Sequence, residues 1–371
     1  MKKVLFTATV DSHILHFHLP FLKYFKDNGY EVHVATNGDE EIPYCDIKHK
    51  VSFERSPLKI KNLKAIKQLK KICNEEKFDI IHTHTPMGSV VTRLAAKKSR
   101  KKYNTKVIYT AHGFHFFKGA SIKNWMLFYP VEKWLSKYTD ILITINLEDY
   151  NLALKKFKRR CKDIEYVPGV GIDRKKFDFE LTEEQKIELR ESIGLKKEDF
   201  VLIYPARLDL NKNHSFLINS MKKIIDKDNS IHLVLAGLDE LNGKYQEFAK
   251  QLNVDNNIHF LGYRKDIPSL LKISNISVSS SLREGLPVNV IEGFAAGLLV
   301  VALKCRGMND LIENEKNGFI VLNEEEFIDK IFLLKNNEEI YDEIKNNNLV
   351  KVEKYYIENI IKKMETIYKL K

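Results

Sequence analysis

Ser279-Ser280-Ser281-Leu282-Arg283-Glu284-Gly285-Leu286-Pro287-Val288-Asn289-Val290-Ile291-Glu292 leads from a short apolar strand pattern near 275–279 into an apolar helix pattern near 287–297. Pro287 suits the first helical position, where a missing N–H costs nothing. Gly285 and Leu286 then present free amides at the positive end of that helix. Glu284 precedes the helix and Glu292 sits more than a turn inside it. If the interval rises helically throughout, eight residues span about 12 Å. That is comparable to the reach from a hexose across a diphosphate to a ribose, so the two carboxylates can accept hydroxyl hydrogen bonds from both ends of one sugar nucleotide. The plainer alternative is an acid at a helix start and a surface glutamate within it. Ile291 and Phe294-Ala295-Ala296 give the helix a buried pattern, and a buried carboxylate needs partners.

Outward from this stretch, short apolar runs alternate with amphipathic segments along nearly the whole chain, which predicts βα units feeding parallel sheets. Strands are expected near 3–9, 31–36, 78–84, 106–111 and 140–145, with helices near 17–28, 61–75, 88–100 and 121–138. Val167-Pro168-Gly169-Val170-Gly171-Ile172-Asp173 breaks the rhythm as a linker does. A second series follows, with strands near 200–205, 231–236, 257–260, 275–279 and 298–302, and helices near 182–193, 213–226, 242–252, 266–272 and 287–297. From Glu324 the tail reads as helix throughout. At 371 residues one hydrophobic core does not usually stay single. The expected architecture is α/β, two doubly wound Rossmann-like domains over 1–172 and 173–350, followed by a C-terminal helix over 351–371.

Ligands of open α/β sheets bind beyond the carboxyl ends of the strands, so the residues after each strand carry the functional information. After the strand near 200–205 come Arg207 and Lys212, two cations just before a helix. A bidentate guanidinium, an ammonium and a helix N-terminus together suit a diphosphate, although charges in a turn are also common surface features. Gly237 and Gly262-Tyr263-Arg264 follow two other strands, where backbone can approach a planar ligand closely.

Ser12, His13, His16, His18, His82, His84, His112 and His115 collect after the first, third and fourth strands. The two H-x-H pairs invite a metal, yet alternate strand residues share a face without converging, and no carboxylate or cysteine completes a set. No metal is expected. The D-x-D triplet Asp226-Lys227-Asp228 lies in a turn before a strand, the wrong end of the sheet for a ligand.

The net charge of +11 is uneven: residues 1–175 hold 33 Lys+Arg against 18 Asp+Glu, and residues 176–371 hold 28 against 32. A basic first half suits a phospholipid surface, a lipid pyrophosphate or nucleic acid, or is simply a solvated lysine-rich face. The segment Ile122 to Tyr138 interleaves Trp125, Met126, Leu127, Phe128, Tyr129 and Trp134 with Lys123, Lys133 and Lys137, as an interfacial or an ordinarily packed helix would. The apolar run from Gly293 to Leu303, eleven residues, falls short of the roughly 20 needed to cross a bilayer. Cys45, Cys73, Cys161 and Cys305 form no C-x-x-C pair and fit reduced thiols in cytosol. No G-x-G-x-x-G follows a strand, against a nicotinamide cofactor.

Glu284 and Glu292, with seven residues between them in Glu-Gly-Leu-Pro…Glu, resemble the E-x7-E signature of the GT-B retaining glycosyltransferases of family 4. Arg207 with Lys212, Gly262, the linker 167–177 and Asn317-Gly318 match the same family, and the resemblance covers essentially the whole chain. It implies two domains facing a central cleft, with the last helix crossing back to the first domain. It implies that Arg207 and Lys212 bind the donor diphosphate and Glu292 the ribose, that Glu284 contacts the transferred sugar, and that backbone around Tyr263 and Arg264 holds the base. His112, in Thr110-Ala111-His112-Gly113, resembles the histidine lining the sugar pocket, leaving His16 and His84 as acceptor-side candidates. Arg306-Gly307-Met308-Asn309-Asp310 resembles a subgroup that builds bacterial capsular polysaccharide and exopolysaccharide. The implied activity is retaining transfer of a hexose or N-acetylhexosamine from a nucleotide sugar, UDP-linked by the family's commonest usage. The implied acceptor is an undecaprenyl-diphosphate-linked glycan at the inner face of the cell membrane, with an anionic membrane surface as partner and neither cofactor nor nucleic acid. Ala206 and Leu299 depart from the family's usual Gly and Pro, and the loop Thr9-Val10-Asp11-Ser12-His13 lacks its paired glycines. A nucleotide-sugar epimerase on the same fold, and a nonenzymatic lipid- or nucleic-acid-binding protein, are the alternatives.

Overall fold

Every strand pair among the described residues, 1–369, of the computed structural model is parallel. The first sheet contains β1 (Lys3–Thr7), β2 (Glu31–Thr36), β3 (Ile47–Lys50), β4 (Ile80–Thr83), β5 (Lys106–Ala111), β6 (Ile141–Thr144) and β7 (Asp163–Tyr166), in the order β3-β2-β1-β4-β5-β6-β7. The second contains β8 (Phe200–Pro205), β9 (Ile231–Ala236), β10 (Ile258–Gly262), β11 (Ile276–Ser279), β12 (Leu299–Leu303) and β13 (Phe319–Val321), in the order β10-β9-β8-β11-β12-β13. Central strands are apolar and buried on both faces, as helices packed on each side require: all four residues of β4, β6 and β11 are buried.

By contacts the chain forms two units, one of Met1–Gly171 with the segment from Ile357, the other Ile172–Tyr356. The division thus falls one residue before the expected 172/173. The C-terminal helix Ile357–Lys369 turns Ile360, Met364 and Ile367 onto the first unit's core, against Val4, Phe6, Val32 and Val34. Lys106 Nζ donates to the Tyr368 carbonyl at 3.0 Å, and the Tyr368 hydroxyl is 2.9 Å from His82 Nδ1. Gly171 allows the chain to enter this helix: its φ is +82°, and a Cβ there would stand 2.8 Å from Ile357 Cα.

The tail is not one helix. It breaks into Glu324–Lys335, Glu338–Lys351 and Ile357–Lys369, the second started by Asn337, whose side chain accepts from the Ile340 amide. Residues 351–356, expected with the crossing tail, instead belong to the second unit, where Tyr356 bridges Ile172. The helix expected near 17–28 is Leu19–Asp27, with Pro20 in its first turn, and a short helix Asp11–Phe17, not expected, precedes it across His18.

Candidate functional site

Strand order reverses between β1 and β4 in the first sheet and between β8 and β11 in the second. Loops leaving two strands at such a reversal diverge to opposite faces, and side chains line the crevice they leave. In the second unit these loops are residues 206–213 and 280–287, and they are tied together. The Leu282 amide donates to the Asn211 carbonyl at 2.8 Å, and Asn211 Nδ2 donates to the Arg283 carbonyl at 3.0 Å. Gly237 lets the first loop lie flat beside β9: a Cβ there would come within 1.9 Å of the Ala206 carbonyl oxygen. Gly307 serves the second loop likewise, its α-hydrogens facing the Gly285 carbonyl, 2.6 Å from where a Cβ would sit.

Lys212 and Glu284 meet at this reversal. Lys212 Nζ donates to Glu284 Oε1 at 2.6 Å, and Ser281 Oγ donates to the same oxygen at 2.6 Å. The Tyr204 hydroxyl lies 2.7 Å from Ser281 Oγ, Asp209 accepts from the Lys212 amide at 2.9 Å, and Ser280 Oγ donates to the Lys212 carbonyl at 2.8 Å. Both charged side chains are mostly covered, 19% and 13% exposed, so the pair is screened less than a surface ion pair. Tyr204, Asp209, Ser280 and Ser281 were missed in the sequence. The serine run after an apolar strand was the signal for two of them.

Both cations expected at a diphosphate have carboxylate partners in this structure. Arg207 is exposed and bound to Glu240 Oε1 at 2.6 Å, and Lys212 is held by Glu284. Adjacent carboxylates neutralise both, and for the mostly covered Lys212 the pairing offsets lost solvation. Arg264 is likewise paired with Asp266, at 2.8 and 2.5 Å, beside exposed Tyr263 and Gly262, whose φ is +64°.

Pro287 is the cap of the helix Val288–Ala295 rather than its first residue, with ψ at 113°. Residues 284–287 are therefore irregular, and only Val288 to Glu292 rises helically, so the interval is not helical throughout. Gly285 is half-buried and Leu286 buried ahead of that start. Glu292 is half-buried among apolar neighbours on the helix, and burial pushes its carboxyl up to about 7, with Lys176 opposing weakly. A carboxyl so placed is retained at a cost to stability once it ionises.

In the first unit, His84 follows β4 and His112 follows β5, while His13 lies on the helix Asp11–Phe17 and His18 caps it. One ring nitrogen from each of the four lies within 4.8 Å of the other three. The quartet takes one member of each H-x-H pair, His18 and His84, and adds His13 and His112 from elsewhere. His84 and His112 come from just beyond the ends of β4 and β5, and the helix Asp11–Phe17 with its cap brings His13 and His18 to them. Burial holds all four imidazoles neutral, His112 down to about 4, His13 to about 2, and His18 and His84 well below the usual range. Of the two acceptor-side candidates, His84 is 1% exposed, and His16 is exposed, its Nδ1 2.6 Å from the Ser12 carbonyl.

Residues 3–146 match the family described as Glycosyl transferase 4-like, and residues 185–350 match Glycosyl transferases group 1. The putative glycosyltransferase EpsD of Bacillus subtilis is 46% identical over 320 residues, covering 86% of this chain and 83% of that protein. The chain belongs to this glycosyltransferase family. The glycosyltransferase is also 31% identical over 268 residues to the UDP-Gal:alpha-D-GlcNAc-diphosphoundecaprenol alpha-1,3-galactosyltransferase of Escherichia coli, covering 71% of this chain and 67% of that one. Its fold matches that of Anabaena HepE, solved in complex with UDP and glucose, with a TM-score of 0.78 over the whole of both chains at 17% identity. Two Rossmann-like units of this kind make it a GT-B enzyme.

One further surface of the glycosyltransferase departs from ordinary packing. The helix Ile122–Leu135 buries only Leu135, and exposes Ile122, Met126, Leu127, Val131 and Trp134 beside exposed Lys123 and Lys137. It is anchored from behind by Arg93, which is 1% exposed and clamps Glu132 bidentately at 2.9 and 3.0 Å while lying 4.3 Å over the Tyr109 ring. Among the described residues no helix is long and apolar enough to cross a membrane.

Proposed function

We propose that this glycosyltransferase moves a hexose or N-acetylhexosamine from a UDP-sugar to a lipid-linked glycan, with retention at the anomeric carbon, in the synthesis of a bacterial surface or capsular polysaccharide. The observation that carries this reading is the Lys212–Glu284 pair at the β8/β11 reversal. A dianionic diphosphate outcompetes one carboxylate for the ammonium, so donor binding hands Lys212 to the phosphates. Glu284 is then freed to accept from the sugar hydroxyls. Arg207 leaves Glu240 in the same way, and the helix start at Val288 adds its amides. Glu292 takes the ribose hydroxyls, the backbone of Gly262 to Arg264 takes the base, and His112 has the sugar-lining role that the resemblance gives it.

In the transfer, the acceptor oxygen bonds to the anomeric carbon on the face from which the C1–O bond to the diphosphate breaks, and the acceptor proton passes to the departing phosphate oxygen. Lys212 and Arg207 stabilise the charge that develops there. No side chain need form a covalent intermediate, and no metal is assigned to this step. The Escherichia coli relative is named for UDP-galactose and a diphosphoundecaprenol acceptor, and HepE was solved with UDP, which supports this donor and acceptor class.

The exposed apolar face of the helix Ile122–Leu135, together with exposed Lys97, Lys98 and Lys101 on the helix Pro86–Lys102, docks on an anionic bilayer where such an acceptor resides. The test of the whole reading is a screen of UDP-sugars with a polyprenyl-diphosphate-linked saccharide, with the product's anomeric configuration read by NMR. A product that keeps the donor's configuration is expected. Inversion refutes the mechanism, and donor consumed without acceptor identifies an epimerase instead.

A further inference from the structure

We propose that His13, His18, His84 and His112 form a binding site for one divalent transition ion of the zinc class. Four imidazole nitrogens about 2.0–2.1 Å from a common ion lie about 3.3–3.4 Å from one another in a tetrahedron. His112 Nε2 and His84 Nδ1 are already 3.3 Å apart, and one nitrogen from every ring falls within 4.8 Å of the rest; closing the set requires the His18 ring to turn out of its stack on His84, where the centroids are 3.7 Å apart.

The hydrogen bonding points the same way. Both nitrogens of His18, Nε2 of His84 and Nε2 of His13 are buried without a hydrogen-bond partner among the described residues. His18 and His84 are 2% and 1% exposed. Buried polar atoms are normally satisfied, and here four ring nitrogens on three of the clustered histidines are not. All four rings are neutral, the form that offers a lone pair to a metal. Imidazole donors favour zinc and its neighbours over magnesium or calcium. A small cavity lined by His18, Phe21, His82, His84, Thr110 and Met364 borders two of the four rings. The other carboxylate-histidine group, Glu31, His33 and Glu76, differs in already holding a cation: Lys3 Nζ lies 2.7 Å from Glu76 and 3.0 Å from Glu31.

The inference rests on first-unit residues, of which only His112 also figures in the donor reading. The full chain, stripped with a chelator, is titrated with Zn²⁺ by calorimetry and with Co²⁺ by visible absorption. One ion per chain and the intense bands of tetrahedral cobalt are expected, with binding weakened at least about tenfold in His18→Gln and His84→Gln and unchanged in His33→Gln. No saturable uptake, or equal uptake by wild type and both variants, overturns the site and leaves the rings as packed neutral side chains stacked near Phe6. If either variant fails to fold, X-ray absorption of the zinc-loaded wild type decides: fewer than three nitrogen ligands refutes it. UDP binding is measured on the same samples, so a missing ion with intact donor binding counts against this site only.

Discussion

Replacing Glu292 with glutamine separates the cost of this carboxyl from its use. Burial raises its pKa from 4.5 to about 7, so the folded chain holds the proton more tightly than the unfolded chain. The contribution to stability is therefore fully present below pH 4.5, declines as pH rises through the interval, and is gone above about 7. At about 1.4 kcal/mol per pK unit the whole decline is on the order of 3 kcal/mol. Glutamine resembles the protonated acid in shape and has no proton to lose. Glu292→Gln should match wild type in urea denaturation near pH 4.5 and exceed it by about 2–3 kcal/mol near pH 8. The same variant should bind UDP-sugar more weakly, because an amide replaces a carboxylate acceptor at the ribose. A stability difference that does not change with pH refutes the burial argument. Unchanged donor affinity refutes the role.

A double-mutant cycle on Lys212→Met and Glu284→Gln should show each single change costing about 2 kcal/mol in thermal or urea unfolding by stranding a covered charge, with the double variant recovering much of the loss. Transfer activity should stay lost in all three, and additive stabilities would show that the pair does not interact. Arg93→Met should destabilise the first unit by about 3–5 kcal/mol, since it leaves Glu132 covered and unpaired; a change under about 1 kcal/mol in denaturant unfolding would contradict the anchoring role. Sedimentation with anionic vesicles should show binding that weakens with salt and falls when Lys97, Lys98 and Lys101 are neutralised. Salt-independent partition, or none, removes the membrane-docking assignment.

The strands at the centre of each sheet were legible because they are buried on both faces and read as continuous apolar runs, as in Val4-Leu5-Phe6 and Leu233-Val234-Leu235. The three that escaped notice, β3, β7 and β13, are all edge strands. β3 is Ile-Lys-His-Lys and β7 is Asp-Ile-Glu-Tyr, with charges that protect an exposed edge and erase the apolar signal. Local spacing also identified Glu284, Glu292 and Lys212 as the residue types a sugar nucleotide needs. It did not reveal that Lys212 rests on Glu284, since that contact joins loops 72 residues apart. The histidines were visible individually, but their convergence depends on the helix Asp11–Phe17 lying across strand ends whose register no local pattern encodes.

Hydrogen exchange with and without saturating UDP-hexose tests the central claim most directly. Slowed exchange of backbone amides in residues 206–213 and 280–288, and weaker protection there in Lys212→Met, is the predicted result. Donor-dependent protection confined to other segments, with both of these loops unaffected, would contradict it.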